Sequence, residues 1–113
     1  LKGTKNMISF LKSGGITAVM IDQAVTDGMP LPFLGRNAKT TTSIARLALK
    51  LNALVVPSYA IRDPSDNTVK IIFEKPIANT SIEDMTLKLN SSLETQLKLN
   101  PTQWYWLHRR WKH

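Results

Sequence analysis

The 113 residues are 42% hydrophobic and 20% charged, with 15 Lys and Arg against 8 Asp and Glu and no Cys. This length suits one globular domain, and the absence of Cys excludes a disulfide scaffold, a thiolate metal site and a cysteine nucleophile. No apolar run approaches the roughly 20 residues that a membrane-spanning helix needs. The sequence begins with Leu rather than Met, which suggests a piece of a longer protein.

The net charge of +7 is concentrated at the two ends of the sequence. Residues 51–100 are nearly balanced, whereas Arg109, Arg110 and Lys112 have no acidic residue near them in sequence. Such a basic surface suits a polyanion: nucleic acid, anionic lipid head groups or an acidic protein. A solvated face that keeps the protein soluble explains the charge equally well.

The first part of the chain predicts a helix, a buried strand and a long loop. Apolar residues have helical spacing within residues 6–13, and Gly14 with Gly15 ends that helix. Residues 16–21 (ITAVMI) are apolar at nearly every position, which predicts a strand covered on both faces. Residues 22–39 contain two glycines and two prolines with little periodicity, so they predict a long loop.

The middle of the chain predicts a βαβ unit and an antiparallel return strand. A helix capped within Thr40–Thr42 runs to about residue 52, and residues 53–61 form a second buried strand in which Pro57 marks an end or a bulge. Strand, helix and strand in this order require a right-handed crossover and a parallel pair. Residues 68–74 alternate as a return strand should.

The last long helix begins at Thr80 or Ser81, where a hydroxyl and an acidic residue three positions later form a capping box. Pro101 opens a final short helix that carries residues 103–111. The fold class is therefore α/β, with flanking helices, and the narrow sheet favours the C-terminal portion of a larger domain. The apolar stripe of the long helix consists of Ile82, Met85, Leu89, Leu93 and Leu97.

Candidate chemistry is sparse outside the closing segment, which we define as residues 101–112. Asp22 and Gln23 follow the first predicted strand, where α/β proteins place ligands, although Asp22 could equally cap a turn. Residues 29–36 either shape an acyl-chain or partner site or pack beneath the loop. Two histidines without Cys give no metal-ligand spacing, and the glycines fit no nucleotide pattern, so we expect no metal and no cofactor.

The closing segment holds three Trp and one Tyr interleaved with cations. One interpretation is nucleic-acid binding, with aromatic rings stacked on bases. Another is an interfacial helix, with Trp at the lipid head groups and cations on lipid phosphates. A third is that Trp104, Leu107 and Trp111, spaced by three and four, bury one face in the core.

The order of several short motifs points to a family. The closing PTQWYWLHRRWK of residues 101–112 is the most specific of them, and the others are Asp22-Gln23, Gly28, Pro32-Phe33, Gly35, Val55–Pro57 and Arg62. Together they resemble the C-terminal part of the lipid A biosynthesis acyltransferases, the lauroyl and myristoyl transferases of Gram-negative bacteria. The resemblance covers the chain from Lys2 onward, so residues 1–113 are expected to be the C-terminal portion of a single acyltransferase domain.

The resemblance implies transfer of a fatty acyl chain from acyl carrier protein to a Kdo-lipid A precursor, at the cytoplasmic face of the inner membrane. It implies a glycerolipid-acyltransferase-like fold, and nucleic acid is not expected as a partner. Carried over residue by residue, it gives Asp22 and Gln23 a site-shaping role. The residues that it suggests for substrate binding are Gly35, Arg36, His108, Arg109, Arg110 and Lys112.

The catalytic base of the family is expected outside this sequence. Members use a His followed four or five residues later by a carboxylate, and the His takes the proton of the acceptor hydroxyl. Here His108 is followed at those positions by Lys112 and His113. The dyad should therefore lie upstream of Leu1, and the 113 residues alone are predicted to be inactive. The alternative function is a basic module that binds nucleic acid or anionic membrane.

Overall fold

The computed structural model describes residues 2–112, which combine helices with two antiparallel β-hairpins. Leu1 and His113, at the ends of the predicted domain, lie outside the described residues. The mixed α/β class is confirmed. In chain order the elements are α1 (Lys2–Lys12), β1 (Met29–Phe33), β2 (Arg36–Thr40), α2 (Ser43–Leu51), β3 (Ser58–Arg62), β4 (Val69–Phe73), α3 (Ile82–Leu99) and a 3-10 turn (Pro101–Gln103).

The first three predicted helices form near the residues that were expected to begin or end them. Gly14 takes a φ of 86° directly after α1, a conformation that glycine adopts without strain. Thr42 precedes α2, and Ser81 caps α3 by accepting the backbone N–H of Asp84 at 3.1 Å. Four members of the predicted stripe of α3 are buried: Met85, Leu89, Leu93 and Leu97.

The hairpin β1–β2 was not predicted, because its strands lie in the stretch interpreted as a loop. Leu34 and Gly35 connect the strands with φ values of 49° and 77°, and a two-residue type I′ turn requires positive φ at both positions. Pro30 and Pro32 are exposed and alternate with Leu31 and Phe33, which are buried. Proline is tolerated here because a two-stranded sheet leaves every strand at an edge.

The predicted strand at residues 16–21 is wrong. This segment has no strand assignment, and Ile16 and Met20 are 91% and 78% exposed. Without it there is no parallel pair within residues 2–112, so the described chain contains only antiparallel ladders. An apolar run can form a covered strand only where other chain segments pair with it and cover it.

The predicted return strand is confirmed. β4 pairs antiparallel with β3, and β3 begins directly after Pro57, as the missing N–H of proline requires. Of the strand predicted over residues 53–61, the part before Pro57 forms only an isolated bridge between Val55 and Ile77.

Helix α3 joins the two parts of the core. On one side Leu93 and Leu97 pack with Phe33 and Ala38 of the β1–β2 hairpin. On the other side Met85 packs with two buried alanines of α2. Because α3 contacts both groups, it fixes the hairpin relative to α2.

The final helix predicted over residues 103–111 is shorter than expected. Only Pro101–Gln103 is helical, as a single 3-10 turn, and turns follow as far as Trp111. The closing segment therefore does not present one helical face. Its side chains are divided by successive turns between the hairpin and solvent.

Candidate functional site

The closing segment folds back onto the tip of the β1–β2 hairpin. The ring of Trp111 stacks on Phe33 at a centroid distance of 5.7 Å, and Trp104 meets the same ring edge-on at 5.9 Å. The indole N–H of Trp111 donates to the carbonyl oxygen of Phe33 at 3.3 Å. Phe33 is fully buried, so these aromatic contacts anchor the segment in the core.

Arg110 lies under this aromatic layer and is completely buried. Its guanidinium donates to the carbonyl oxygen of Lys39 at 2.5 Å and to Oγ1 of Thr40 at 2.8 Å, and it lies 5.2 Å from the Phe33 ring centroid. Asn90 of α3 donates to the same Thr40 oxygen at 3.2 Å. Burial lowers the pKa of Arg110, and the nearby charge of Asp22 offsets part of this effect.

This position corrects the substrate-binding role suggested for Arg110. A guanidinium that is fully buried and bonded to protein oxygens cannot also reach a substrate phosphate, so its contribution is to hold β2, α3 and the closing segment together. The alternating aromatic and basic residues gave no sign of which cation turns inward. Sequence analysis also missed Asn90, although its position four residues after buried Thr86 places it on the buried face of α3.

Two further residues of the closing segment hold the chain around Asp22. The indole N–H of Trp104 donates to Oδ2 of Asp22 at 2.9 Å. The backbone N–H of Ala24 donates to Nε2 of His108 at 2.7 Å. Nε2 is therefore the accepting nitrogen of His108 in this contact. The structure thus brings together two predicted site residues that are 86 positions apart in sequence.

Gln103 attaches the closing segment to the second hairpin. Its side-chain oxygen accepts the backbone N–H of Arg62 and its side-chain nitrogen donates to the Arg62 carbonyl, both at 2.8 Å. The amide therefore satisfies both backbone groups at the end of β3. Sequence analysis quoted Gln103 only as part of the motif and gave it no role.

The other predicted substrate-binding residues face solvent. Arg109 and Lys112 are exposed in the closing segment, and Gly35 and Arg36 are exposed at the turn of the β1–β2 hairpin. Gln23 is exposed beside the partly buried Asp22. Within residues 2–112, no hydrogen bond links these five residues to Asp22, so their roles in binding stay predictions.

An open groove of about 510 Å³ borders the chain that His108 holds. One wall consists of residues 24–27, and the other is the start of α2. Arg46 in this wall donates from Nε to Oγ1 of Thr42 at 3.0 Å. The groove offers hydroxyl groups and a guanidinium, which suit a polar ligand. In the described part of the chain, no cluster of His, Asp or Glu could hold a metal ion, and no helix is long and apolar enough to cross a membrane.

Known proteins are similar to this chain over almost its whole length. The family model for bacterial lipid A biosynthesis acyltransferases matches residues 2–113. The chain belongs to this family. It is similar to the lipid A biosynthesis lauroyltransferase of Escherichia coli strain K12, with 30% identity over 117 residues that cover 98% of this chain. The chain spans 38% of the length of that lauroyltransferase. In this member of the family, the closing segment is thus divided between residues that contact the core, such as Arg110 and Trp111, and residues exposed to solvent, such as Arg109 and Lys112.

Proposed function

We propose that this segment forms part of the substrate site of an enzyme that transfers a fatty acyl chain from acyl carrier protein to a Kdo-lipid A precursor. The family match over residues 2–113 is the observation that carries the proposal. The hydrogen bond between Trp104 and Asp22 supports it, because it joins the most specific motif to the residue with the predicted site-shaping role.

In the proposed reaction the acceptor hydroxyl oxygen attacks the thioester carbonyl. The new ester C–O bond forms, the C–S bond breaks, and the proton of the hydroxyl passes through a base to the departing thiolate. His108 does not supply that base, since its Nε2 accepts the Ala24 N–H and no carboxylate follows it at the expected spacing. The base therefore belongs to another segment, and residues 1–113 by themselves should not transfer acyl groups.

The exposed cations are proposed to bind the anionic substrates. Arg36, Arg109 and Lys112 are exposed and make no salt bridge within residues 2–112. Charge-assisted hydrogen bonds from such side chains suit the phosphates of the acceptor and the acidic surface of the carrier protein. Loss of these cations should raise the KM for substrate with a smaller effect on kcat.

The exposed apolar residues of the closing segment favour contact with the inner-membrane surface. Tyr105, Trp106 and Leu107 are 68%, 50% and 80% exposed and precede the exposed Arg109. Aromatic residues beside cations are typical of chains that lie at the head groups of anionic lipids. These exposed residues support the proposal that the segment lies at a membrane surface, which for this family is expected to be the cytoplasmic face of the inner membrane.

The acyl transfer proposal is tested with a chimera. Residues 2–113 replace the matching segment of the Escherichia coli lauroyltransferase, and mass spectrometry follows transfer from acyl carrier protein to Kdo-lipid A precursor. We expect an active chimera, with transfer reduced in an Arg36→Ala, Arg109→Ala, Lys112→Ala variant. A chimera that melts cooperatively but transfers nothing would contradict the proposal.

The membrane contact is tested separately with vesicles. The 113-residue chain should co-sediment with vesicles that contain anionic phosphatidylglycerol, and Trp106→Ser with Leu107→Ser should weaken this binding. The matched control is Val69→Ser with Phe73→Ser, which removes two comparably exposed apolar side chains from β4. Equal loss in both variants would mean that binding depends on general exposed apolar surface rather than on the closing segment.

A further inference from the structure

The chain around Asp22 has little structure of its own. Within residues 2–112, the stretch 16–27 makes no backbone–backbone hydrogen bond to any other segment. Three bonds with side chains attach it to the fold: those of Trp104 and His108, and one from Lys39 Nζ to the Thr26 carbonyl at 3.1 Å. The position of Asp22 therefore depends on contacts from elsewhere in the chain.

The two contacts from the closing segment act on different parts of this stretch. Trp104 fixes one oxygen of the Asp22 carboxylate, while His108 fixes the backbone two residues later. Trp104 is itself held by Phe33 and by the rings of Trp106 and Trp111 at 4.8 Å and 6.3 Å. A donor held by three aromatic neighbours has little freedom, so the carboxylate that it binds is restrained in turn.

We infer that Trp104 and His108 are positioning residues for Asp22: they hold its carboxylate in one orientation by bonding Oδ2 and the following backbone. This inference rests on the proposed function, in which Asp22 shapes the acyl transfer site. Asp22 Oδ1 receives no hydrogen bond from the described residues, so it is the oxygen left to meet a substrate hydroxyl or a cationic group. Trp104 and His108, which are four positions apart in the closing segment, thus position Asp22 rather than bind a substrate phosphate.

The hydrogen bonds are tested first by NMR on the 113-residue chain. The indole N–H groups of Trp104, Trp106 and Trp111 bind different acceptors, namely Asp22, the Pro101 carbonyl and the Phe33 carbonyl. Asp22→Ala should shift the Trp104 indole resonance and leave the other two as internal controls. The ¹⁵N spectrum of His108 should show Nε2 unprotonated and Nδ1 protonated.

Rescue separates an acceptor role of His108 from simple packing. His108→Gln retains a side-chain acceptor that can reach the Ala24 N–H, whereas His108→Leu retains bulk without an acceptor. The Ala24 amide resonance should stay close to that of the native chain in the Gln variant and shift in the Leu variant. The inference would be overturned if the Ala24 amide resonance were the same in the two variants, or if Asp22→Ala did not shift the Trp104 indole resonance. Either result would hold whatever the activity assay shows.

The functional arm uses the active chimera. Trp104→Phe keeps an aromatic ring against Phe33 and removes the indole donor, so it should lower kcat by roughly tenfold to a hundredfold while changing the KM for the acyl carrier protein little. The matched control is Tyr59→Phe, which likewise removes one side-chain hydrogen bond from an aromatic ring, but at the contact with Ser92, away from Asp22. If both variants lose activity equally, Trp104 acts only through folding. If the unmodified chimera is inactive, the proposed function fails while the NMR result still decides the hydrogen bonds.

Discussion

The two β-hairpins have similar backbones but opposite relations to the core. In β1–β2, the inward residues Leu31, Phe33, Ala38 and Thr40 are all buried. In β3–β4, no residue of either strand is buried, and Val69, Ile71 and Phe73 are at least half exposed on one face. Formation of a hairpin is therefore separate from its burial, which depends on the elements that pack over it.

The inner face of β3–β4 is held mainly by polar contacts. Tyr59 Oη lies 2.6 Å from Ser92 Oγ of α3, and Ser92 donates to Glu74 at 2.6 Å. Gln96 donates to the other Glu74 oxygen at 3.0 Å. Burial raises the pKa of Tyr59, the hydrogen bond with Ser92 lowers it, and the charge of Glu74 adds to the rise. The two hairpins should consequently respond very differently to substitution.

The largest expected effect is the loss of Phe33. Phe33→Ala removes the ring on which two Trp side chains pack, and its cost should be about 4 kcal/mol of unfolding free energy. Phe73→Ala is the matched control on β4 and should change stability by no more than about 0.5 kcal/mol, because Phe73 is 73% exposed. Urea denaturation measures both values. Similar losses would mean that β3–β4 is covered as well as β1–β2.

A second test compares adjacent arginines. Arg110→Ala leaves the Lys39 carbonyl without its buried donor and opens a void beneath Phe33, so we expect a loss of about 3 kcal/mol. Arg109→Ala removes an exposed side chain and should cost no more than about 0.5 kcal/mol. Denaturation midpoints of the two variants give the comparison. A stable Arg110→Ala protein would show that the closing segment does not depend on this buried cation.

The smallest effect concerns acid and the turn of β3–β4. Hydrogen bonds from Ser65, first its hydroxyl and then its N–H, lower the pKa of Asp63. Bonds from Thr68, first its N–H and then its hydroxyl, lower the pKa of Asp66. Because each folded-state pKa lies below the ordinary value of 3.8, the stabilisation is present above that value and is lost as pH falls through the folded-state pKa.

Acid should therefore loosen the turn of β3–β4, where the carboxylates of Asp63 and Asp66 accept four hydrogen bonds, more than the turn of β1–β2, where one carboxylate, that of Glu94, accepts the Leu34 N–H. Amide resonances of Ser65 and Thr68 followed by NMR below a pH of about 4 measure this change. The Asp63→Asn, Asp66→Asn variant keeps the side-chain acceptors and should flatten the pH dependence. If the pH dependence of these resonances were unchanged in that variant, carboxylates other than Asp63 and Asp66 would be responsible for it.

Local signals were sufficient for much of this fold. Gly14, Ser81 and Pro57 act within a few residues of themselves, through left-handed φ, a capping hydroxyl and a missing N–H, so the ends of α1, α3 and β3 were predictable. The family was also evident, since PTQWYWLHRRWK is a contiguous motif. The β1–β2 hairpin was not predicted because Leu34 takes a positive φ that its side chain disfavours, and this conformation is held by the paired strands and by the hydrogen bond from its N–H to Glu94 of α3.

The sequence by itself determined the three α-helices, the return strand and membership of the lipid A acyltransferase family. Only the tertiary structure decided that Arg110 turns inward while Arg109 turns outward, and that Trp104 and His108 meet the Asp22 stretch. Turn and cap preferences depend on neighbouring residues, whereas these contacts join residues more than 80 positions apart. These contacts form because α3 and the aromatic rings around Phe33 hold the closing segment against the hairpin. No local sequence pattern predicts such packing between distant segments.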